Sequence, residues 1–163
     1  ILPNLYNAVH TPEPGNRYHM LQGSYLSGEA INLTRTTMPH ALAYHLTKKY
    51  DLPHGHAVAL TLPYFFLINM DESLETNSPL GPEGQRENMR GLFKVLGHGS
   101  AEDCFEFWRN LLRACGLAAT FPEVGVDNRG KMEALVDSMN MVRMGNHPVK
   151  IGRDDLVGRF LSR

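Results

Sequence analysis

Two histidines that each follow a proline give this sequence its clearest potential for metal chemistry. They are His40 and His54, which lie fourteen positions apart. Neutral imidazole is a common ligand of divalent transition metals, and two rings can share one ion only if they approach within a few ångströms. Fourteen residues of continuous helix would place them about 21 Å apart, so a shared ion requires the chain to turn back between them.

The sequence offers such a turn. A helix of about ten residues from His40 rises about 14 Å, and residues 50–53, if extended, return about the same distance. The spacing therefore permits a two-histidine metal site, while a pair of capping or core histidines fits the same pattern and is the more common arrangement. We expect the following histidines to be surface or loop residues: His10, His19, His45, His98 and His147.

The elements that must position these histidines are predicted to be helices throughout. Apolar residues recur at helical spacing, and no convincing strand alternation is present. The predicted helices cover about residues 17–35, 39–49, 54 onward, 89–97, 100–116 and 132–142, with a last short helix from about 154. We expect the proline-rich opening to about residue 16 to be irregular, and Pro63 to kink or end its helix. The prediction is an all-α fold, with residues 1–163 forming a single helical-bundle domain.

Composition argues against several classes of partner. Apolar residues make up 42% of the chain, charged residues 20%, and the net charge is −1, so we predict neither a nucleic-acid partner nor an anionic membrane surface. The apolar runs are shorter than the roughly 18–20 residues that a membrane span needs. Cys104 and Cys115 are eleven positions apart on one predicted helix, a separation of about 16 Å that excludes a disulfide. Reduced, buried thiols indicate a cytoplasmic protein.

Three segments around the histidine pair carry a family resemblance. They are residues 28–32 (GEAIN), 35–44 (RTTMPHALAY) and 50–60 (YDLPHGHAVAL). Together they resemble the C-terminal domain of the iron-containing (group III) alcohol dehydrogenases, a fold of the dehydroquinate-synthase-like type, and most of all the branch that includes phosphonoacetaldehyde reductases. In that family, histidines in the H-A-L and P-H-G segments are two of the metal ligands. The resemblance therefore implies that His40 and His54 bind the metal.

The resemblance also implies an activity and a missing half. It implies an NAD(P)-dependent, metal-dependent alcohol dehydrogenase or aldehyde reductase, with Fe2+ as the usual ion and Zn2+ or Mn2+ as alternatives. NAD(P)H would be bound mainly by an N-terminal domain that is absent from this chain. The family's other two ligands, an Asp followed four positions later by a His, are also absent from the sequence. We therefore expect the chain alone to be inactive and to bind metal weakly.

Four further residues are candidates for contact with the substrate. Arg35 and Thr37 precede the first ligand and suit an anionic group such as a phosphonate, although a helix-terminal threonine beside a surface arginine fits equally well. Tyr44 stands where many family members carry a second histidine, so this position offers no histidine for a proton relay, and the Tyr44 hydroxyl can contact substrate or simply pack. His56 is a candidate for lining the pocket. The sequence identifies no catalytic residue and no cofactor-binding residue.

Two other functions stay open at this point. A dehydroquinate-synthase-like metal lyase shares the architecture, but its metal set has a different histidine spacing. A non-catalytic helical binding module would not need both His40 and His54. The predicted partners are a small-molecule alcohol or aldehyde and the absent N-terminal domain, and the oligomeric state is open, with a homodimer as one arrangement.

Overall fold

A computed structural model describes residues 1–139 and 144–163. Secondary structure among these residues is helical, apart from one isolated antiparallel bridge between Thr76 and Val149. The helices are α1 (Leu2–His10), α2 (Pro14–Leu33), α3 (Met38–Tyr50), α4 (His54–Ile68), α5 (Gly81–Leu96), α6 (Ala101–Ala114), α7 (Arg129–Asp137) and α8 (Arg153–Leu161). A short 3-10 turn covers Pro122–Val124. The predicted all-α fold is confirmed, and the end of the predicted helix 132–142 lies outside the described residues.

The structure contradicts the expected irregular opening and the expected end of a helix at Pro63, whereas a kink at Pro63 stays a prediction. The opening is not an irregular lead-in, because α1 begins at Leu2 and α2 begins at Pro14. Prolines in a first helical turn cost no hydrogen bond, since the N–H they lack would have no partner inside the helix. Pro63 does not end its helix either, because α4 continues to Ile68. Its missing N–H leaves the Ala59 carbonyl without its helical donor, and Trp108 Nε1 donates to that oxygen at 2.9 Å.

Helices α3 and α4 form a closely packed hairpin. Their connection turns because Asp51 ends α3 in a left-handed conformation, with φ of 54°. Aspartate tolerates this conformation better than most residues do. Leu52 is buried in the turn, and Pro53 caps the start of α4. This hairpin is the turn that a metal site shared by the two histidines requires.

Most buried side chains belong to one core that includes residues of α3, α4, α7 and α8. Tyr64 contacts Phe105, Phe121 and Phe160, with ring centroids 5.4, 5.0 and 5.1 Å away. Edge-to-face and tilted pairs of this kind add to the stabilisation from burial. Burial also raises the pKa of Tyr64 to about 12, so this hydroxyl remains protonated near neutral pH. The burial and the three ring contacts make Tyr64 a packing residue of this core.

A smaller apolar cluster joins α4 to α5 and α6. Its buried members are Phe66, Phe93 and Cys104, and the Trp108 ring lies 6.0 Å from that of Phe66. Cys104 and Cys115 are both free thiols, as their separation predicts. Cys104 is buried as expected, but Cys115 follows the last residue of α6 and is only half-buried.

Helix α2, like α1, contains no fully buried residue, and each of its twenty residues is at least partly exposed. Its main neighbour is α1, and Gly23 is so close to Ile1 that an added Cβ would lie 2.1 Å from Ile1 Cγ1. Leu21 and Tyr25 are 69% and 67% exposed. Among the described residues, the main packing contact of this helix is therefore with α1. None of the described helices is long and apolar enough to cross a membrane.

Candidate metal and substrate site

Both candidate ligands lie in the first turn of a helix, directly after a proline. Thr37 is the N-cap of α3, and the backbone N–H of His40 donates to the Thr37 carbonyl at 3.1 Å. Pro53 is the N-cap of α4, so His54 is the first residue of that helix. The prolines set where each helix begins. They therefore set where each imidazole leaves the backbone.

The fold brings three of the predicted site residues together. The ring centroids of His40 and His54 are 5.8 Å apart, with an angle of 61° between the ring planes. The Tyr44 ring lies 5.3 Å from that of His54. Tyr44 is four residues after His40 on α3, so the two side chains lie on one face of that helix. His40 is half-buried and His54 and Tyr44 are exposed, so the cluster is accessible from solvent.

The distance between the two imidazole rings matches the distance expected for two rings that share one ion. A metal–imidazole bond is about 2 Å long, so two rings that share an ion have centroids roughly 5 to 6 Å apart. The separation of 5.8 Å lies within that range. Among residues 1–139 and 144–163, no group of three or more His, Cys, Asp or Glu side chains could hold an ion. The two histidines alone are therefore fewer than the three or more protein ligands that a catalytic ion needs, and their role as ligands stays a prediction.

The segment before His40 carries the two residues predicted to contact an anionic group. Arg35 is exposed and Thr37 is half-buried. Within the described residues, the Thr37 side chain makes no capping hydrogen bond, although this residue occupies the N-cap position. Asn146 reaches the same segment, and its Nδ2 donates to the Thr36 carbonyl at 3.4 Å. No role at the site was predicted for Asn146, because no sequence signal links it to a residue 110 positions away.

His56 lies apart from the ring cluster. Two positions along a helix correspond to a rotation of about 200°, so His56 leaves α4 on a different side from His54. Its Nε2 is 2.8 Å from the Ala118 carbonyl. The ring lines a mostly apolar cavity of about 290 Å³, to which α1 and α6 contribute side chains that include Val9 and Trp108. The role of His56 in substrate binding stays a prediction.

His147 was expected at the surface, and this expectation was wrong. Its side chain is 1% exposed, and its ring stands edge-on to Phe65 at 4.9 Å. Asn77 holds the loop around His147 with two hydrogen bonds. Its backbone N–H donates to the Pro148 carbonyl at 2.7 Å, and its side-chain amide donates to the His147 carbonyl at 3.3 Å. Neither ring nitrogen has a hydrogen-bond partner among the described residues. Burial lowers the pKa of His147 to about 4, so the ring is neutral at pH 7.

Known proteins resemble the chain in sequence. The model of the Fe-containing alcohol dehydrogenase family, C-terminal, matches residues 1–161. A phosphonoacetaldehyde reductase from Streptomyces viridochromogenes is 28% identical over 154 residues, which are 93% of this chain and 37% of that protein. A 1,3-propanediol dehydrogenase from Klebsiella pneumoniae is 36% identical over 76 residues, which are 47% of this chain and 19% of that protein.

Solved structures share the fold. A sulfoacetaldehyde reductase from Bifidobacterium kashiwanohense, in complex with NAD+, superimposes with a TM-score of 0.77 at 24% identity, over 98% of this chain and 39% of that one. An alcohol dehydrogenase from Oenococcus oeni gives the same TM-score at 22% identity, over 98% and 41%. The chain thus spans well under half the length of these relatives. The resemblance predicted from residues 28–60, including the likeness to a phosphonoacetaldehyde reductase, is confirmed. Since the family model covers nearly the whole sequence, this chain belongs to the iron-containing alcohol dehydrogenase family and corresponds to its C-terminal region.

Proposed function

We propose that this chain is the metal-binding and substrate half of an NAD(P)-dependent, metal-dependent alcohol dehydrogenase or aldehyde reductase. The observation that carries the proposal is the 5.8 Å separation of the His40 and His54 rings in a chain of this family. The relatives named as reductases and dehydrogenases favour this activity over a dehydroquinate-synthase-like lyase. They also favour it over a non-catalytic helical module.

In this proposal His40 and His54 are two ligands of a divalent ion. The family resemblance favours Fe2+, and Zn2+ and Mn2+ suit similar ligand sets. When bound, such an ion polarises the oxygen of the alcohol or aldehyde as a Lewis acid. Tyr44, whose ring lies beside that of His54, is the side chain to which we assign a hydrogen bond from its hydroxyl to the substrate oxygen.

We assign the binding of the substrate's distal end to the residues around the start of α3. The Arg35 guanidinium and the Thr37 hydroxyl are donors suited to phosphonate or sulfonate oxygens. The support for an anionic substrate is that the relatives include a phosphonoacetaldehyde reductase. His56 lines the apolar cavity beside α4 and completes the set of proposed substrate contacts.

The remaining ligands and most of the NAD(P)H site belong, in this proposal, to an N-terminal dinucleotide-binding domain. The support is twofold: the relatives are more than twice as long as this chain, and the described residues supply only two of the ligands. We therefore propose that residues 1–163 form one C-terminal helical domain that is inactive alone. Measurable NAD(P)H-dependent reduction of an aldehyde by the 163-residue chain would contradict this part of the proposal.

Zn2+ binding to the 163-residue chain tests the metal site directly. We expect isothermal titration calorimetry at pH 7.5 to show weak binding of one ion, because two imidazoles give incomplete coordination. His40→Ala and His54→Ala should each abolish this binding, since a single imidazole remains in each variant. His19→Ala is the matched control, because His19 is exposed on α2 and lies outside the ring cluster.

The outcomes separate the proposal from its rivals. Loss of binding in both ligand variants, with His19→Ala unchanged, supports the shared site. Equal binding by the wild type and all three variants would show that Zn2+ binds elsewhere, and the metal-site proposal would fail. In a longer parent protein, comparison of kcat/KM for phosphonoacetaldehyde and for an uncharged aldehyde, with and without Arg35→Ala, tests the assignment of the anionic group.

A further inference from the structure

Thr61 is a buried hydroxyl-bearing residue in the interior of α4, and it is 0% exposed. Its Oγ1 lies 3.2 Å from the carbonyl oxygen of Pro39 and 3.0 Å from that of Val58. Pro39 belongs to α3 and directly precedes His40. The hydroxyl therefore connects the helix that carries His54 to the residue beside the other histidine.

Thr61 also lies on the same face of α4 as His54. It is seven residues further along, which corresponds to two turns and about 10 Å along the axis. A threonine in a helix commonly donates its hydroxyl to a carbonyl three or four residues earlier, as the contact with Val58 shows. The additional contact with Pro39 is not part of that local pattern. It joins positions that are 22 residues apart in the sequence.

Packing alone does not account for the hydroxyl. Valine has nearly the shape of threonine and would fill the same buried space without a polar group to satisfy. The single hydroxyl proton is shared between two acceptors, one on each helix of the hairpin. A hydrogen bond has a narrow range of length and angle, so the contact with Pro39 limits how far α4 can slide or rotate against the start of α3.

We propose that Thr61 is a positioning residue that holds the backbone beside His40 at a fixed distance from α4, and thereby sets the spacing of the two imidazoles. This inference rests on the proposed metal site. The hydroxyl touches neither ring and takes no part in binding the ion. It acts by limiting the conformational freedom that the two rings would otherwise lose when they bind one ion.

Thr61→Val tests the inference in the 163-residue chain with Zn2+ alone as the probe. We expect calorimetry to show Zn2+ affinity reduced about tenfold, the lower end of the effect seen when groups that orient metal ligands are removed. Thr61→Ser keeps the hydroxyl and should bind Zn2+ within about twofold of the wild type. Urea unfolding of each variant first establishes that the protein is fully folded under the conditions of the titration.

Trp108→Phe is the matched control. This substitution removes another side-chain donor to a carbonyl of α4, that of Ala59. The donor Trp108 lies on α6, so its hydrogen bond joins α4 to α6 and not to α3. A loss of stability alone leaves the Zn2+ affinity of the folded chain unchanged, so Trp108→Phe should bind like the wild type even if it unfolds more easily. The positioning role predicts that Thr61→Val loses affinity beyond any loss of stability.

The outcomes distinguish this inference from the proposal beneath it. If the wild type binds Zn2+, His40→Ala does not, and Thr61→Val binds like the wild type, the positioning role is wrong and the metal site stands. The inference also fails if Thr61→Ser loses as much affinity as Thr61→Val, because the hydroxyl would then not be the cause. If the wild type and His40→Ala bind equally, the metal site itself is wrong, and the positioning role falls with it.

Discussion

Trp108 should stabilise the fold mainly by donating a hydrogen bond to the Ala59 carbonyl, which Pro63 leaves without its helical donor. In an unbroken helix the N–H of residue 63 would donate to the oxygen of Ala59, and here Trp108 Nε1 donates instead, at 2.9 Å. Leaving a buried acceptor unsatisfied costs about 1–3 kcal/mol, and Ala59 and Trp108 are only half-buried, so we expect the lower part of that range. Trp108→Phe should therefore lower the free energy of unfolding by about 1–2 kcal/mol.

A double-mutant cycle with Pro63→Ala isolates this cause. Alanine at position 63 restores a backbone N–H that can donate to the Ala59 carbonyl, so Trp108→Phe should cost about 1 kcal/mol less in that background. Urea unfolding followed by circular dichroism is the suitable assay, because Trp108 is the single tryptophan and its removal abolishes that fluorescence signal. If the two changes add to within about 0.3–0.5 kcal/mol, the tryptophan does not compensate for the proline and the reasoning is refuted.

Three further outcomes follow from single residues. Burial lowers the pKa of His147 to about 4, so this histidine takes up a proton at higher pH in the unfolded chain than in the folded chain. The free energy of unfolding should therefore drop by about 2 kcal/mol between pH 7 and pH 5, as measured by urea unfolding. The pKa of Asp71 is lowered mainly by a hydrogen bond from Ser73 and also by Arg159, whose ion pair with Asp71 joins the loop after α4 to α8. Asp71→Asn should lower the free energy of unfolding by about 1 kcal/mol at pH 7 in the same assay. Gly125 has φ of 89°, so Gly125→Ala should lower the melting temperature through about 1–2 kcal/mol of backbone strain.

Each of these has a control within the chain. His147→Leu should show a smaller loss of stability between pH 7 and pH 5 than the wild type, and an equal loss would assign the pH dependence to other groups. Asp137→Asn perturbs an exposed ion pair with Arg153 and should cost less than Asp71→Asn. Gly99→Ala adds a Cβ in open space at a glycine whose φ lies outside the left-handed region, so it should change the melting temperature less than Gly125→Ala.

The proximity of His40 and His54 could be predicted from the sequence because short-range rules decide it, whereas their role as metal ligands stays a prediction. Prolines set the starts of α3 and α4, and the family segments name the two histidines that follow them. Prolines are also the reason why the first sixteen residues were wrongly predicted to be irregular. Proline is common in loops but is equally well tolerated in a first helical turn, and no local signal distinguishes the two cases at Pro3 or Pro14.

The features that escaped prediction all depend on contacts between distant positions. His147 is buried because Asn77, which is 70 positions earlier, binds its carbonyl and because Phe65 covers its ring. Pro63 remains inside a continuous helix because Trp108, which is 49 positions from Ala59, supplies the missing donor. Such partners are fixed by the tertiary fold, whereas propensity and periodicity describe only the neighbourhood of each residue.

Helix α4 is held from two sides, and the two attachments have different consequences. Trp108 fastens it to α6 and hence to the apolar cluster around Phe66, which governs how firmly the helix is folded. Thr61 fastens it to the start of α3, which governs where the His54 face stands relative to His40. Under the proposed metal site, the second attachment is needed to hold the two imidazoles near one ion even when the first already secures the helix. Stability and the spacing of the two imidazoles should therefore respond to different substitutions, the first at Trp108 on α6 and the second at Thr61 on α4.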